Sequence, residues 1–196
     1  MLTTGFFFGT SSFGTDITSS IDGTDIFVAK KNKSGNHLWV ATGGGTSFDG
    51  ARGVSTAPDG SVYITGYFGG TANLGSTTLS SAGNSDVFIA KLSSGGQWQW
   101  AIKAGGSEND YGGCVTVDVQ GNAYVTGYFR DTASFGTTTL TSKGGADIFV
   151  TKVDKNGNYV WAKQIGGSDD DYGGCIALDA QSNLYLTGNY SGTVNF

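Results

Sequence analysis

Carboxylates crowd three glycine-rich segments of this chain: GGTSFDGA at 44–51, GGSENDYGG at 105–113 and GGSDDDYGG at 166–174. Asp49, Asp110 and Asp171 recur at one place in all three, and Glu108, Asp169 and Asp170 add charge beside them. Oxygen donors in loops suit a hard cation such as Ca²⁺, which takes about six to eight oxygens. The spacing is not that of an EF-hand. Tyr111 and Tyr172 follow two of the aspartates and offer an aromatic face to a ligand. The competing expectation is a solvated turn in which the repeated Asp accepts hydrogen bonds from glycine amides.

Other residue types recur with less chemical promise. Trp39, Trp100 and Trp161 could stack on sugars, but packing of one sheet on the next is the expectation for them. Trp98, with His37 and Tyr159 at the same place in the sister segments, shares the face of that series if its strand is regular. It takes the other face if the strand is bulged. Asp25, Asp86 and Asp147 precede short apolar runs and read as structural caps of a connection, with metal ligation the lesser reading. Lys30, Lys91 and Lys152 lie five residues on, facing away from them on a regular strand.

Cys114 and Cys175 occupy one place in the pattern, and Gly53 holds it in the first segment. Equivalent points on neighbouring sheets are expected to lie too far apart for a disulfide except very near the axis, leaving two small buried thiols as the default. Neither a CxxC pair nor a histidine cluster accompanies them, so zinc is not expected. His37 is the single histidine. Without a nucleophile elbow, HExxH or phosphate loop, the expectation is a protein that is not an enzyme and needs no cofactor, Ca²⁺ excepted.

What must position these groups is a repeat of all-β units. Thr4-Gly5, Thr65-Gly66, Thr126-Gly127 and Thr187-Gly188 mark a constant period, as do the Trp and Asp series. Units 14–74, 75–135 and 136–196 align without a gap, and 1–13 matches the tail of a preceding, partial unit. Each unit carries four short β-branched and aromatic runs. GVSTA, CVTVD and CIALD define a strand A; VYITG, AYVTG and LYLTG a strand B. DIFVAK, DVFIAK and DIFVTK define C, and HLWVA, WQWAI and YVWAK define D. No segment has a convincing helical period. Glycines at 35, 96 and 157 mark C–D turns, read as two-residue hairpins requiring positive φ. The B–C link reads as the longest, with TTLSS or TTLTS as an extra short strand.

Four-stranded sheets repeated at fixed period, apolar on both faces, predict the stacked blades of a β-propeller, with 1–196 as one propeller segment. The strand order is B-C-D, A-B-C-D, A-B-C-D, A-B, so the ring is incomplete in one chain. Open edges and bare faces at its ends invite assembly. Either missing blades of a longer chain or a second copy, head to tail in a dimer of about six blades, would complete it.

GGSDDDYGGCIALDAQSNLYLTG, preceded by GGADIFVTKVDKNGNYVWAKQIGG, closely resembles the bacterial SBBP-type β-propeller repeat, and the resemblance extends over essentially the whole chain. The first unit departs from it, with SFDGARG in place of DYGGC. The resemblance implies blades of secreted or cell-surface proteins and no shared catalytic residues.

Composition sets the remaining bounds. The chain has 34 glycines and one proline, and a net charge of −5 with no basic run, so nucleic acid is not an expected partner. No apolar stretch is long enough for a helical membrane span, so no membrane insertion is expected. The N-terminal residues lack the charge and apolar core of a signal peptide, so any export signal is expected outside this chain. Together these features predict a secreted or cell-surface binding or structural module that presents acidic loops on one face to a glycan or protein. The alternatives are a fragment of a propeller-fold carbohydrate-active enzyme and a self-assembling surface subunit.

Overall fold

The computed structural model describes residues 1–194. They form antiparallel sheets stacked in chain order. The first sheet has β1 (Leu2–Phe13), β2 (Asp16–Lys31) and β3 (His37–Gly45). The second has β4 (Gly50–Thr56), β5 (Val62–Leu74), β6 (Thr77–Leu92) and β7 (Trp98–Gly106). The third repeats it with β8 (Tyr111–Val117), β9 (Ala123–Phe135), β10 (Thr138–Val153) and β11 (Tyr159–Ile165). A hairpin of β12 (Tyr172–Leu178) and β13 (Leu184–Asn189) follows. This is the expected all-β, four-stranded blade order, and the described strands do not close into a ring. Among the described residues there is no helix.

Each complete sheet draws β4–β5 or β8–β9 from one repeat and its remaining strands from the next, so every covalent repeat is shared between two sheets. A further link fastens neighbours: the end of β3 pairs with β5 through Gly44↔Asn73 and Gly45↔Ala72, and β7 pairs with β9 through Gly105↔Ser134 and Gly106↔Ala133. Only glycine allows this approach, since a Cβ on Gly45 or Gly106 would overlap the carbonyl of Thr71 or Thr132.

Alternation along the strands feeds two cores at once. Phe88, Ala90 and Leu92 of β6 join Ile26, Val28, Ile64 and Phe68 between the first and second sheets. Val87 and Ile89 of the same strand point the other way, joining Val125, Phe129, Phe135 and Phe149 between the second and third. A smaller core of Tyr124, Val150 and Ile176 seats the last hairpin. A sheet apolar on both faces is stable only when sandwiched, and stacking supplies the sandwich. Strands β4, β8 and β12 lie side by side across successive sheets, the arrangement of innermost strands.

Two local expectations are corrected. The C–D turns are three-residue loops, not two-residue hairpins, and the A–B turns have the same form. Gly60 N–H donates to Ala57 C=O at 2.9 Å and Gly96 N–H to Ser93 C=O at 3.0 Å, after which the glycine, at φ 83° in both, makes the bulge that rejoins the ladder. The B–C link is not the longest connection either. Residues 71–74 and 77–80 pair directly, so TTLSS is the start of a long strand C, and the turn is only 75–76. A bulge separates the two halves of this hairpin, with Gly9 (φ 65°), Gly70 (φ 56°) and Asp131 (φ 54°) at equivalent places.

Candidate functional site

The repeated loop aspartates are buried, not solvated. Asp49, Asp110 and Asp171 are each fully inaccessible. Each carboxylate spans two chain segments. Asp110 Oδ2 accepts the Gly106 N–H at 2.7 Å and Oδ1 accepts the Arg130 N–H at 3.0 Å. Asp49 does the same with Gly45 (2.7 Å) and Gly69 (3.0 Å), and Asp171 with Gly167 (2.8 Å) and Ser191 (3.0 Å). The backbone N–H of each donates to the carbonyl of Thr24, Ser85 or Ala146 on a neighbouring strand C. In Asp49 and Asp110 the carboxylate thus ties the loop between sheets to strand B of the sheet that follows, and in Asp171 it reaches Ser191, just past β13.

Asp25, Asp86 and Asp147 sit behind these loops, also buried. Their Oδ2 atoms accept the backbone N–H of Ile21 (3.1 Å), Ala82 (3.0 Å) and Lys143 (3.3 Å). Lys103 Nζ lies 3.5 Å from Asp86, and Gln164 donates to Asp147 at 2.6 Å. The two aspartate series meet at a glycine: a Cβ on Gly105 would lie 2.8 Å from both Asp86 Oδ1 and Asp110 Oδ2. Burial is the main cause that pushes Asp49 up to about 6 and Asp110 up to about 7, and the neighbouring Asp25 and Asp86 push the same way. Burial also raises Asp25 and Asp86 above the ordinary carboxylate range.

Glu108, Asp169 and Asp170 are exposed. Asp170 Oδ1 accepts the Ala146 N–H at 2.7 Å and pairs with Arg130 at 3.2 Å. Those contacts, the backbone bond first, hold it below its ordinary value. Among the described residues no three His, Cys, Asp or Glu side chains gather as a metal-ligand set. Both oxygens of Asp110 are already taken by amides, which leaves few of the donors that Ca²⁺ requires.

Tyr111 and Tyr172, in contrast, belong to a continuous strip. Tyr67 meets Tyr111 at 4.8 Å between ring centroids, Tyr111 stacks on Tyr128 at 5.2 Å, and Tyr128 meets Tyr172 edge-on at 4.9 Å. The Arg52 guanidinium lies over Tyr67 (5.1 Å) and Tyr111 (4.8 Å), and Arg130 donates to the Tyr172 hydroxyl at 3.1 Å. All four rings are half-buried and Arg52 is exposed. Burial pushes Tyr67 and Tyr128 above the ordinary phenol value. The sequence reading missed Tyr67, Tyr128, Arg52 and Arg130. Their signal was the pairing of strand A with strand B, which sets Tyr128 opposite Tyr111.

The tryptophans are placed by a bulge. Lys91 pairs with Trp100 but Leu92 with Trp98, so one residue of strand D is extra and the two rings take opposite faces. Trp98 donates to Thr42 C=O of the preceding sheet at 3.2 Å. Trp100 donates to Lys155 C=O of the following sheet at 3.1 Å, and Trp39 to Ser94 C=O at 3.1 Å. Trp161, half-buried, packs with the core of the last hairpin. His37 Nε2 lies 2.8 Å from Asp16. Lys91 and Lys152 lie over Tyr63 and Tyr124, away from the strand-C aspartates.

Residues 160–189 match the family model SBBP, described as a beta-propeller repeat, which bears out the resemblance over that segment. An uncharacterized WD repeat-containing protein of Acanthamoeba polyphaga mimivirus is 28% identical over 110 residues, covering 47% of this chain and 8% of its own length. The regulatory protein FlaEY of Caulobacter vibrioides is 29% identical over 140 residues, covering 68% of this chain and 15% of its own. The chain therefore spans less than a fifth of the length of these curated relatives. A crystal structure of a protein of unknown function from Bacteroides caccae aligns over 93% of this chain and 64% of its own, with 10% identity and a TM-score of 0.31.

Proposed function

We propose that this chain is a non-catalytic binding module of a secreted or cell-surface bacterial protein. Its ligand surface is the strip of Tyr67, Tyr111, Tyr128 and Tyr172 capped by Arg52. The observation that carries this reading is the strip itself: four contiguous, half-exposed rings with an exposed guanidinium over two of them. A rigid aromatic surface suits the apolar face of a sugar ring. Among the described residues no carboxylate pairs with Arg52, so its charge is available to a ligand carboxylate. The ligand class that fits both features is an acidic polysaccharide.

The test is a glycan array, followed by calorimetric titration of the best binder with and without Ca²⁺. Tyr111→Ala, Tyr128→Ala and Arg52→Ala should each weaken binding about tenfold, or roughly 1.4 kcal/mol. An array without acidic binders, or alanine variants that bind like the parent, would remove the reading. A Ca²⁺ dependence lost in Glu108→Gln and Asp169→Asn would add a cation to the same face.

A second reading, self-assembly, draws support from the open edges. Among the described residues β1 pairs only with β2, and β13 only with β12, while Phe6, Phe8 and Tyr185 are exposed beside those edges. Such edges are templates for pairing with another chain. Sedimentation over a range of concentrations tests it, and a monomer throughout would oppose it.

A further inference from the structure

We propose that Cys114 and Cys175 form a disulfide that ties together the innermost strands of the third sheet and the last hairpin. The expectation of two buried thiols is corrected, and the pair falls under the exception for points near the axis: the Sγ atoms are 3.1 Å apart, Cys114 is half-buried and Cys175 is exposed.

The approach has a local cause. Cys114 and Cys175 both follow a bulge in strand A, at Gly112/Cys114 and Gly173/Cys175. A Cβ on Gly113 would lie 3.2 Å from the Gly173 carbonyl, so the glycine backbone permits β8 and β12 to lie close. At the preceding junction Gly53 stands in place of a cysteine, and a Cβ there would press within 2.9 Å of Cys114 Cα. The staple thus belongs to one junction. That junction seats a two-stranded sheet with the smallest of the three cores, where a covalent tie has most to add.

The chemistry is thiol–disulfide exchange with a small-molecule disulfide such as glutathione disulfide. The exposed Cys175 thiolate attacks one glutathione sulfur and expels the other as a thiolate. Cys114, deprotonated, then attacks Cys175 Sγ and releases the second glutathione. Two protein thiols lose two electrons, one disulfide is reduced to two thiols, and the two protons end on the glutathiones. Burial raises the Cys114 thiol above its ordinary value, so the second step quickens as pH rises and more of it becomes thiolate.

The test equilibrates the full chain with glutathione disulfide and maps its peptides before and after reduction. The expected result is one intramolecular Cys114–Cys175 link, with neither thiol open to maleimide until a reductant is added. Closing a loop with a sequence separation of 61 should raise Tm by about 5–15 °C over the reduced chain. The double variant with Cys114→Ser and Cys175→Ser should show no response to oxidant. Two thiols that stay alkylatable in excess glutathione disulfide, stable mixed disulfides with glutathione, or links formed only between molecules would overturn the proposal. None of these outcomes depends on the tyrosine strip.

Discussion

The carboxylate of Asp110 accepts the backbone N–H of Arg130, twenty residues away and on the next sheet, at 3.0 Å. Its other oxygen holds Gly106 in the loop at the end of β7. One fully buried side chain therefore fixes both the loop and the sheet it leads to, and the same contact is repeated by Asp49 and Asp171.

Replacing Asp110 by alanine leaves two amides without their acceptor. At about 1–3 kcal/mol for each lost partner, Asp110→Ala should cost roughly 2–6 kcal/mol, and Asp110→Asn about half, because the amide oxygen still serves one donor. Thermal melts should fall by about 5–15 °C for alanine. A melt within about 1 °C of the parent would show that the carboxylate does not join the sheets.

The pH dependence has an unusual direction. Burial raises Asp49 to about 6 and Asp110 to about 7, so the folded chain binds these protons more tightly than the unfolded chain. Their contribution is fully present below the unfolded value near 3.8 and is lost as pH rises through about 6 to 7. The lowered values of Asp59, Asp154 and Asp179 act in the opposite direction, as acid takes pH down through them. Tm measured from pH 5 to pH 8 should therefore decline by a few degrees, and Asp110→Asn should flatten the slope. A Tm that climbs over this range would contradict the burial of these groups.

Two residues hold backbone conformations that glycine takes in sister repeats. Asp131 has φ 54° where Gly9 and Gly70 have 65° and 56°, and Ser182 has φ 66° where Gly60 and Gly121 have 83° and 84°. Left-handed backbone costs a side chain about 1 kcal/mol. Asp131→Gly and Ser182→Gly should each stabilise the chain by roughly 0.5–1 kcal/mol, read as a higher denaturation midpoint at unchanged slope. A lower midpoint would mean that other contacts of the side chain outweigh the strain.

The junction glycines should tolerate nothing larger. A Cβ on Gly106 overlaps the Thr132 carbonyl, so Gly106→Ala must break the β7–β9 pairing or move a sheet. We expect a loss of about 2–4 kcal/mol, with hydrogen exchange faster at Gly106 and Ala133 than within β6. Exchange unchanged at those amides would place the junction elsewhere.

The period, strand order and incomplete ring were legible because they are local. Alternation and turn residues act within a few positions, and a constant spacing of Thr-Gly, Trp and Asp fixes which strand is which. The sequence also pointed to Tyr111 and Tyr172, since they follow a repeated aspartate. It could not show that Tyr67 and Tyr128 complete the strip, because that depends on register between paired strands.

Burial of Asp49, Asp110 and Asp171, the opposed faces of Trp98 and Trp100, and the meeting of Cys114 with Cys175 were decided only in three dimensions. A single-residue bulge reverses a side chain without leaving a mark in the residue pattern. Distance between equivalent residues of successive sheets depends on how far each lies from the line along which the sheets stack. Residues of the innermost strands converge while those of outer strands spread, so one repeat spacing in sequence gives many spacings in space.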